Sequence, residues 1–242
     1  MTIRKTIRKP VRKLLTLSTL ACVAITTFAF QQNDVVQRVD AAVHARIDAL
    51  TGYTVQEHYT LYRNGDPNPS TEVTVQVSEQ HSGKTYTTIS KSGSAFFRAA
   101  VIDKVLASET EMSKPAKLEG VLLTSANYNM QPEPGKVSLN NRNCVIVDLQ
   151  ARRKDSHLLN GKIWVDADNA SIVHAEGKPA ASASIFSGDI TISRDYTTID
   201  GLAMATHAEA HSHSFLLGDS VLKIDYIGYQ IQRSSPAPLA KQ

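Results

Sequence analysis

Residues 160–177 read Asn-Gly-Lys-Ile-Trp-Val-Asp-Ala-Asp-Asn-Ala-Ser-Ile-Val-His-Ala-Glu-Gly. Ile163 and Val165 lie on one side of a period-two run, and Trp164 lies on the other with Lys162 and Asp166. Asp168-Asn169 is turn chemistry, and a second short run over 171–176 follows at once. Two strands this close pair only as antiparallel neighbours, because a parallel pair needs a crossover of about a dozen residues.

The same grammar extends in both directions. Downstream, strands are predicted over 184–196, 203–213 and 221–231, separated by Asp200-Gly201 and Gly218-Asp219. Upstream, 137–139 and 143–149 flank Asn140-Asn141, and Asn160-Gly161 opens the quoted stretch. Nearer the start, Val55, Tyr59 and Leu61 alternate with polar residues, as do Val73, Val75 and Val77. The run from Asn64 to Pro69 between them makes a hairpin, and a third strand covers 85–90. Two segments change period. Val35, Val36, Val39, Val43, Ile47 and Leu50 recur at three- and four-residue steps, a helix of about four turns ended near Gly52. Residues 95–112 give a second helix with a wide apolar face. Residues 114–128 continue as another helix or a lid-like loop, closed by Pro132, Pro134 and Gly135, and are expected to be the most mobile part. A meander of this kind must close, curl or cover one face with helices to hide its apolar side.

The front of the chain carries an address. Arg4, Lys5, Arg8, Lys9, Arg12 and Lys13 precede an uncharged apolar run from Leu14 to Phe30, the order of a bacterial export signal. The chain is expected to be periplasmic, either cleaved near Ala29 or anchored in the membrane by residues 14–30, a run at the short edge of what spans a bilayer. Any membrane association would come through this segment. The six basic residues account for the whole-chain excess of positive charge: the remainder has 20 basic against 23 acidic residues, a formal charge of −3. That balance gives no case for a nucleic-acid partner. Cys144 is the one cysteine left beyond the segment, so no internal disulfide can form and the fold rests on its core. The expected organisation is 1–29 signal or anchor, 30–233 a single β domain, and 234–242 a disordered tail.

The stretch from Asn160 to Gly177 resembles the strand–turn–strand of LolA-like periplasmic carriers and their outer-membrane lipoprotein-sorting relatives. Tyr196-Thr-Thr-Ile-Asp-Gly201 is similar to the family's "Tyr, then Asp-Gly" turn, and Leu222-Lys-Ile-Asp-Tyr226 with Tyr229 to its closing strand. The resemblance covers 137–231. It implies an α+β, mainly β fold: an unclosed antiparallel barrel, a curled meander covered by helices, whose apolar inner face holds acyl chains. It also implies a non-enzymatic periplasmic carrier or sensor for an acyl chain, lipid or lipoprotein, with a further envelope protein as partner. Two departures favour a general apolar-ligand carrier over lipoprotein transport. The arginine that ties lid to barrel in LolA itself has no placed equivalent, and Ala203-Met204-Ala205 stands where relatives commonly carry a proline.

Candidate lining residues follow from strand parity. They are Val145, Val147 and Leu149, Ile163 and Val165, Ile190 and Ile192, and Leu222, Ile224 and Tyr226, with Phe96, Phe97 and Val101 from the second helix. The same residues serve equally as a filled core, and alternation alone does not separate a hollow barrel from a packed one. A competing chemistry is His207, Glu209, His211 and His213, which a strand places on one face. A metal-dependent envelope enzyme would centre on His207, His211 and His213. Same-face neighbours are about 7 Å apart, however, so one ion reaches two of them comfortably, and a solvent-facing polar stripe explains the array. A third reading is a structural interaction module of the envelope. No nucleophile elbow, zinc-protease helix, Walker loop or dinucleotide fingerprint occurs, so neither a catalytic residue nor a cofactor is expected.

Overall fold

Alternating apolar residues make long strands here, and left-handed turn residues fold them back. The computed structural model describes residues 18–182, 188–214 and 218–234, of which 18–33 are described by backbone alone. Helix α1 (Ser18–Ala49) leads into β1 (Leu50–Arg63), β2 (Thr71–Gln80) and β3 (Gly83–Gly93). A helical segment follows: α2 (Ala95–Phe97), a π turn (Arg98–Ile102), α3 (Asp103–Met112), then α4 (Pro115–Leu118) with a 3-10 turn (Glu119–Val121). The remaining strands are β4 (Tyr128–Pro132), β5 (Val137–Leu139), β6 (Arg142–Ala151), β7 (Leu159–Asp166), β8 (Ile172–Pro179), β9 (Ile190–Ile199), β10 (Leu202–Ser214) and β11 (Gly218–Arg233).

These strands form one antiparallel sheet in the order β3-β2-β1-β11-β10-β9-β8-β7-β6-β4, with β5 on the free part of β6. The edge strands β3 and β4 do not pair, so the curled sheet is an unclosed barrel covered by helices. Tight turns fix the register. Asn140-Asn141 and Asp200-Gly201 each carry two successive positive φ angles, the backbone that matches strand twist in a two-residue hairpin, and Asn64-Gly65 carries the same pair at the start of the longer β1–β2 loop. Between β7 and β8 the two backbones meet at Gly161 opposite Gly177. A Cβ on Gly161 would stand 2.0 Å from the Glu176 carbonyl oxygen, so only glycine fits.

Several boundaries differ from the sequence reading. Residues 128–132 form an edge strand, β4, rather than the end of a helix or loop. Its Tyr-Asn-Met-Gln-Pro lacks a sustained alternation, and its pairing with β6 supplies the order. The loop before it is tied down rather than free. Asp40 of α1 accepts from the Ser125 backbone N–H at 2.8 Å and hydroxyl at 2.5 Å, and Asn127 donates to the Glu119 and Leu122 carbonyls at 2.8 and 3.0 Å. Part of the strand expected over 184–196, the tail from 235, and the first seventeen residues lie outside the described residues. No helix among the described residues is long and apolar enough to cross a membrane.

The inner face of the sheet carries two apolar cores rather than one continuous lining. In the first, Val147, Leu149, Ile163, Val165 and Ala175 of β6–β8 pack on Val39 of α1, with Val145 at their margin. Arg38 and Arg46 fix the two ends of this part of the helix. Arg38 donates to the Ala167 and Asp168 carbonyls at 3.0 and 2.9 Å, and Arg46 to the Ala203 carbonyl at 2.7 Å. In the second core, Val55, Val75, Val77, Ile190, Leu222 and Ile224 pack on Val101 and Ile102 of the π turn, flanked by Phe97, Val105 and Leu106. The wide π turn places the consecutive Val101 and Ile102 both at 0% exposure.

Candidate functional site: a carboxylate latch between the two cores

Strand parity also turns charged residues inward. In β1, Tyr53, Val55, Glu57, Tyr59 and Leu61 share the inner face, and Glu57 is 0% exposed. On β3, Lys84 and Tyr86 stand two residues apart, opposite Glu79 and Val77 of β2. Arg194 continues the inward phase of Ile190 and Ile192 in β9, pairing with Ala175 on one side and Ala208 on the other, so it stands at the seam between the cores.

Helix α3 crosses the opening above them and drops one carboxylate into the cluster. Glu109 Oε2 accepts from Lys84 Nζ at 3.0 Å and from the Tyr86 hydroxyl at 2.9 Å, while Oε1 accepts from Arg194 Nη2 at 3.4 Å. The helix is moored at its flanks. Ser113 Oγ accepts from the Lys84 backbone N–H at 2.8 Å, and Ser108 lies 3.1 Å from His157 Nε2 in the β6–β7 connection. No residue of α3 is itself fully buried; Val105 and Leu106 pack partly against the second core, and the polar contacts add to them.

The electrostatics are those of a sparsely hydrated ion cluster. Burial pushes the Glu109 carboxyl up, but Lys84 and Arg194 outweigh it and hold the group down to about 2. Burial works against the Lys84 charge, yet Glu109 together with Tyr53, Tyr86 and Glu57 outweighs it and raises the ammonium well above its ordinary value. Glu57 behaves differently. Burial raises its pKa, only partly opposed by Lys84, which favours the protonated acid. Its Oε2 accepts from the Tyr59 hydroxyl at 2.5 Å, whereas Oε1 is buried without a hydrogen-bond partner among the described residues. Tyr226 and Tyr229, stacked with centroids 6.5 Å apart, form an aromatic wall nearby, and Tyr229 donates to the Ala205 carbonyl at 2.8 Å.

The proposed lining residues separate accordingly. Val145, Val147, Leu149, Ile163 and Val165 face α1, while Ile190, Ile192, Leu222, Ile224 and Tyr226 face the helical cover with Phe97 and Val101. Phe96 is a correction: it is 67% exposed and turned away from the sheet. Neighbours on a helix point about 100° apart, so only one of the Phe96-Phe97 pair reaches the sheet. Phe97 does so, beneath the Arg63 guanidinium at 3.9 Å. The apolar inner face is occupied by the protein's own helices, rather than open. Sequence reasoning missed Glu57, Lys84, Glu109 and Arg194. Parity with Val55, Tyr86 and Ile192 was the available signal for the three strand residues. It also left unplaced any arginine tying cover to sheet, and Arg194 does that here.

On the outer face, the histidines are taken by carboxylates of neighbouring strands. His174 pairs with Asp195 at 2.6 Å and His207 with Asp225 at 2.7 Å, in a cross-strand row that continues to His58. Glu209 lies between His207 and His211 at 3.2 and 3.0 Å, and His213 turns to Asp219 at 2.5 Å. Among the described residues no three such groups converge on a point where a metal ion could sit. The row is an alternating-charge ladder of the kind that stabilises adjacent strands.

No family model matches the chain, and no curated protein matches it. Several solved structures are similar to it, three of them as follows. A putative outer membrane lipoprotein-sorting protein domain from Vibrio parahaemolyticus is 11% identical, over 84% of this chain and 93% of that one, with a TM-score of 0.49. The LolA superfamily protein NE2245 from Nitrosomonas europaea is 10% identical over 85% and 94%, at 0.41. A DUF1329 family protein from Desulfovibrio piger is 11% identical over 86% and 95%, at 0.40. At such identities these are likenesses of fold.

Proposed function

We propose that this chain is a non-enzymatic carrier or sensor of the cell envelope, which takes the acyl chain of a lipid or lipoprotein onto the inner face of its sheet when the α2–α3 cover swings aside. Residues 1–29 direct export, and 30–233 act as one domain. The observation that carries the reading is the construction of the cover. A helical segment with no fully buried residue in α2 or α3 closes an apolar sheet face, pinned by Val101 and Ile102 and latched by Glu109.

The magnitudes support a cover that a ligand can displace. Exposing Val101 and Ile102 costs about 1.5–3 kcal/mol each, and each buried methylene of an acyl chain returns about 0.8 kcal/mol. About four to eight methylenes therefore offset the two side chains, well within the length of a membrane-lipid chain. Delipidated protein titrated with a fluorescent fatty acid is expected to show saturable binding, lost on Ile190→Asp in a variant that still folds. Amide exchange over 95–112 is expected to accelerate on binding. Failure of every lipid class to bind removes the carrier reading, and binding with an undisturbed cover moves the site elsewhere.

A further inference from the structure

We propose that Lys84, Tyr86 and Arg194 are a cradle for the carboxylate head group of a single-chain amphiphile, a fatty acid, and that Glu109 fills this cradle as a built-in stand-in while the cover is closed. The inference rests on the carrier reading and names its ligand.

The distribution of donors and acceptor over the fold leads to it. All three donors belong to the sheet, on β3 and β9, whereas the acceptor belongs to the cover. The two oxygens of Glu109 are used separately, one by Lys84 and Tyr86 and the other by Arg194, as a carboxylate rather than a point charge is recognised. When α3 lifts, Glu109 leaves with it and the donors stay behind. The carboxylate that bridges both cations would then be gone, with Glu79 left as the cross-strand neighbour of Lys84 and Glu57 beside the cluster, and leaving a partly buried charge without its partner costs far more than the pair contributes. A neutral apolar ligand does nothing about this. A ligand with its own carboxylate restores the same charge and the same three hydrogen bonds while its chain covers the face that Val101 and Ile102 vacate.

A second observation points the same way. Glu57 is wholly buried beside the cluster, within the fields of Lys84, Glu109 and Arg194, with Oε1 unpartnered among the described residues. Its unpartnered oxygen marks a buried hydrogen-bonding position beside the cluster that no described residue fills while the cover is closed. The side chains of Lys84 and Glu109 keep 17% and 18% exposure despite their surroundings, and Arg194 keeps 37%, so the cradle is reachable from the opening that α3 spans.

The test compares ligands of one chain length on the delipidated full chain: hexadecanoic acid, hexadecanol, and a single-chain phosphodiester lipid, each displacing a neutral apolar fluorophore. The acid is expected to bind at least about 10-fold tighter than the alcohol, the worth of a hydrogen-bonded charge. Glu109→Gln removes the resident competitor and is expected to tighten binding of acid and alcohol alike, since Glu109 has left the cradle in either complex. The paired change Lys84→Met with Glu109→Gln removes one cation together with one anion, leaves the net charge of the cluster unchanged, and is expected to reduce the ratio while alcohol binding persists. Equal binding of acid and alcohol overturns the cradle and leaves the carrier reading standing. Phosphodiester binding as tight as the acid overturns the assignment to a carboxylate. Absence of binding by all three, including in a variant with a loosened cover, overturns both.

Discussion

Ile102→Ala separates a displaceable cover from a permanent core, because the two make opposite predictions for affinity. Ile102 is 0% exposed in the π turn and packs on the second core. Truncation to alanine removes three carbons from that contact, worth about 2.4 kcal/mol at 0.8 kcal/mol per group, with a further cavity cost that raises the total within the usual 2–5 kcal/mol range. The closed state bears this loss, whereas a state with the cover lifted does not. For a domain of this size about 2–4 °C of melting temperature accompanies each kcal/mol, so the midpoint falls by roughly 5–10 °C or more. If a ligand binds only the open state, its apparent affinity scales with the open fraction. The same 2.4 kcal/mol then raises affinity by up to about 50-fold, at 1.36 kcal/mol per tenfold. Calorimetric or fluorescence titration with a fatty acid, run beside a thermal melt, reads both quantities. Lower stability with unchanged or weaker binding would falsify the cover mechanism, since it would make Ile102 an ordinary core residue or part of the binding wall.

Glu57→Gln keeps the shape and the acceptor for Tyr59 while removing a buried acid. Its raised pKa means that its stabilising contribution is present below the ordinary carboxylate range and is lost as pH rises through the native value. The variant should therefore be more stable, by on the order of 1 kcal/mol, with the gain growing toward alkaline pH; a lower melting temperature at high pH refutes this. Glu109 has the opposite sign. Its pKa is depressed from 4.5 to about 2, so its contribution is present above 4.5 and disappears as acid takes the pH down through 2. Acid unfolding followed by circular dichroism should be less steep in that window for Glu109→Gln, and an unchanged slope counts against the latch. Gly161→Ala forces a Cβ to 2.0 Å from the Glu176 carbonyl, which should destabilise the domain by about 1–3 kcal/mol or more; native-like stability would show that β7 and β8 can separate there at no cost. His207 carries a raised pKa: burial lowers it, but Asp225 and Glu209 outweigh burial. Its contribution is present below 6.5 and is lost as pH rises through the native value, so Asp225→Asn should lower its titration midpoint by NMR, and an unmoved midpoint sinks the pairing.

Much of the architecture was legible because alternation and turn chemistry coincide. Ile163 and Val165 declared their face, and Asn140-Asn141 and Asp200-Gly201 declared where chains reverse. β4 was not legible, because Asn129, Met130 and Gln131 carry no alternation and take their order from β6. The site was half legible. Glu57 lies in phase with Val55 and Tyr59, and Arg194 with Ile190 and Ile192, so parity already turned both inward, but charged residues in a strand are ordinarily read as solvent-facing. Glu109 could not be found that way. Its role depends on α3 crossing from β3 to β9, a tertiary relation of residues 25 and 85 positions apart. The separation of the apolar positions into two cores was likewise invisible, since it depends on which helix covers which half.

The pairing of β1 with β11 has a consequence for how the molecule comes into being. Leu50 lies opposite Arg233 and Arg63 opposite Ser220, so the earliest strand to emerge from a ribosome or an export pore waits for the very last one before its second edge is satisfied. Until then a strand rich in tyrosine, valine and leucine stands unprotected, and contacts spanning nearly the whole chain form slowly because a long loop must close first. Folding therefore favours a complete polypeptide over strand-by-strand ordering as the chain emerges. A truncation that removes only the final strand should strand the nascent protein with chaperones rather than yield a smaller version of it.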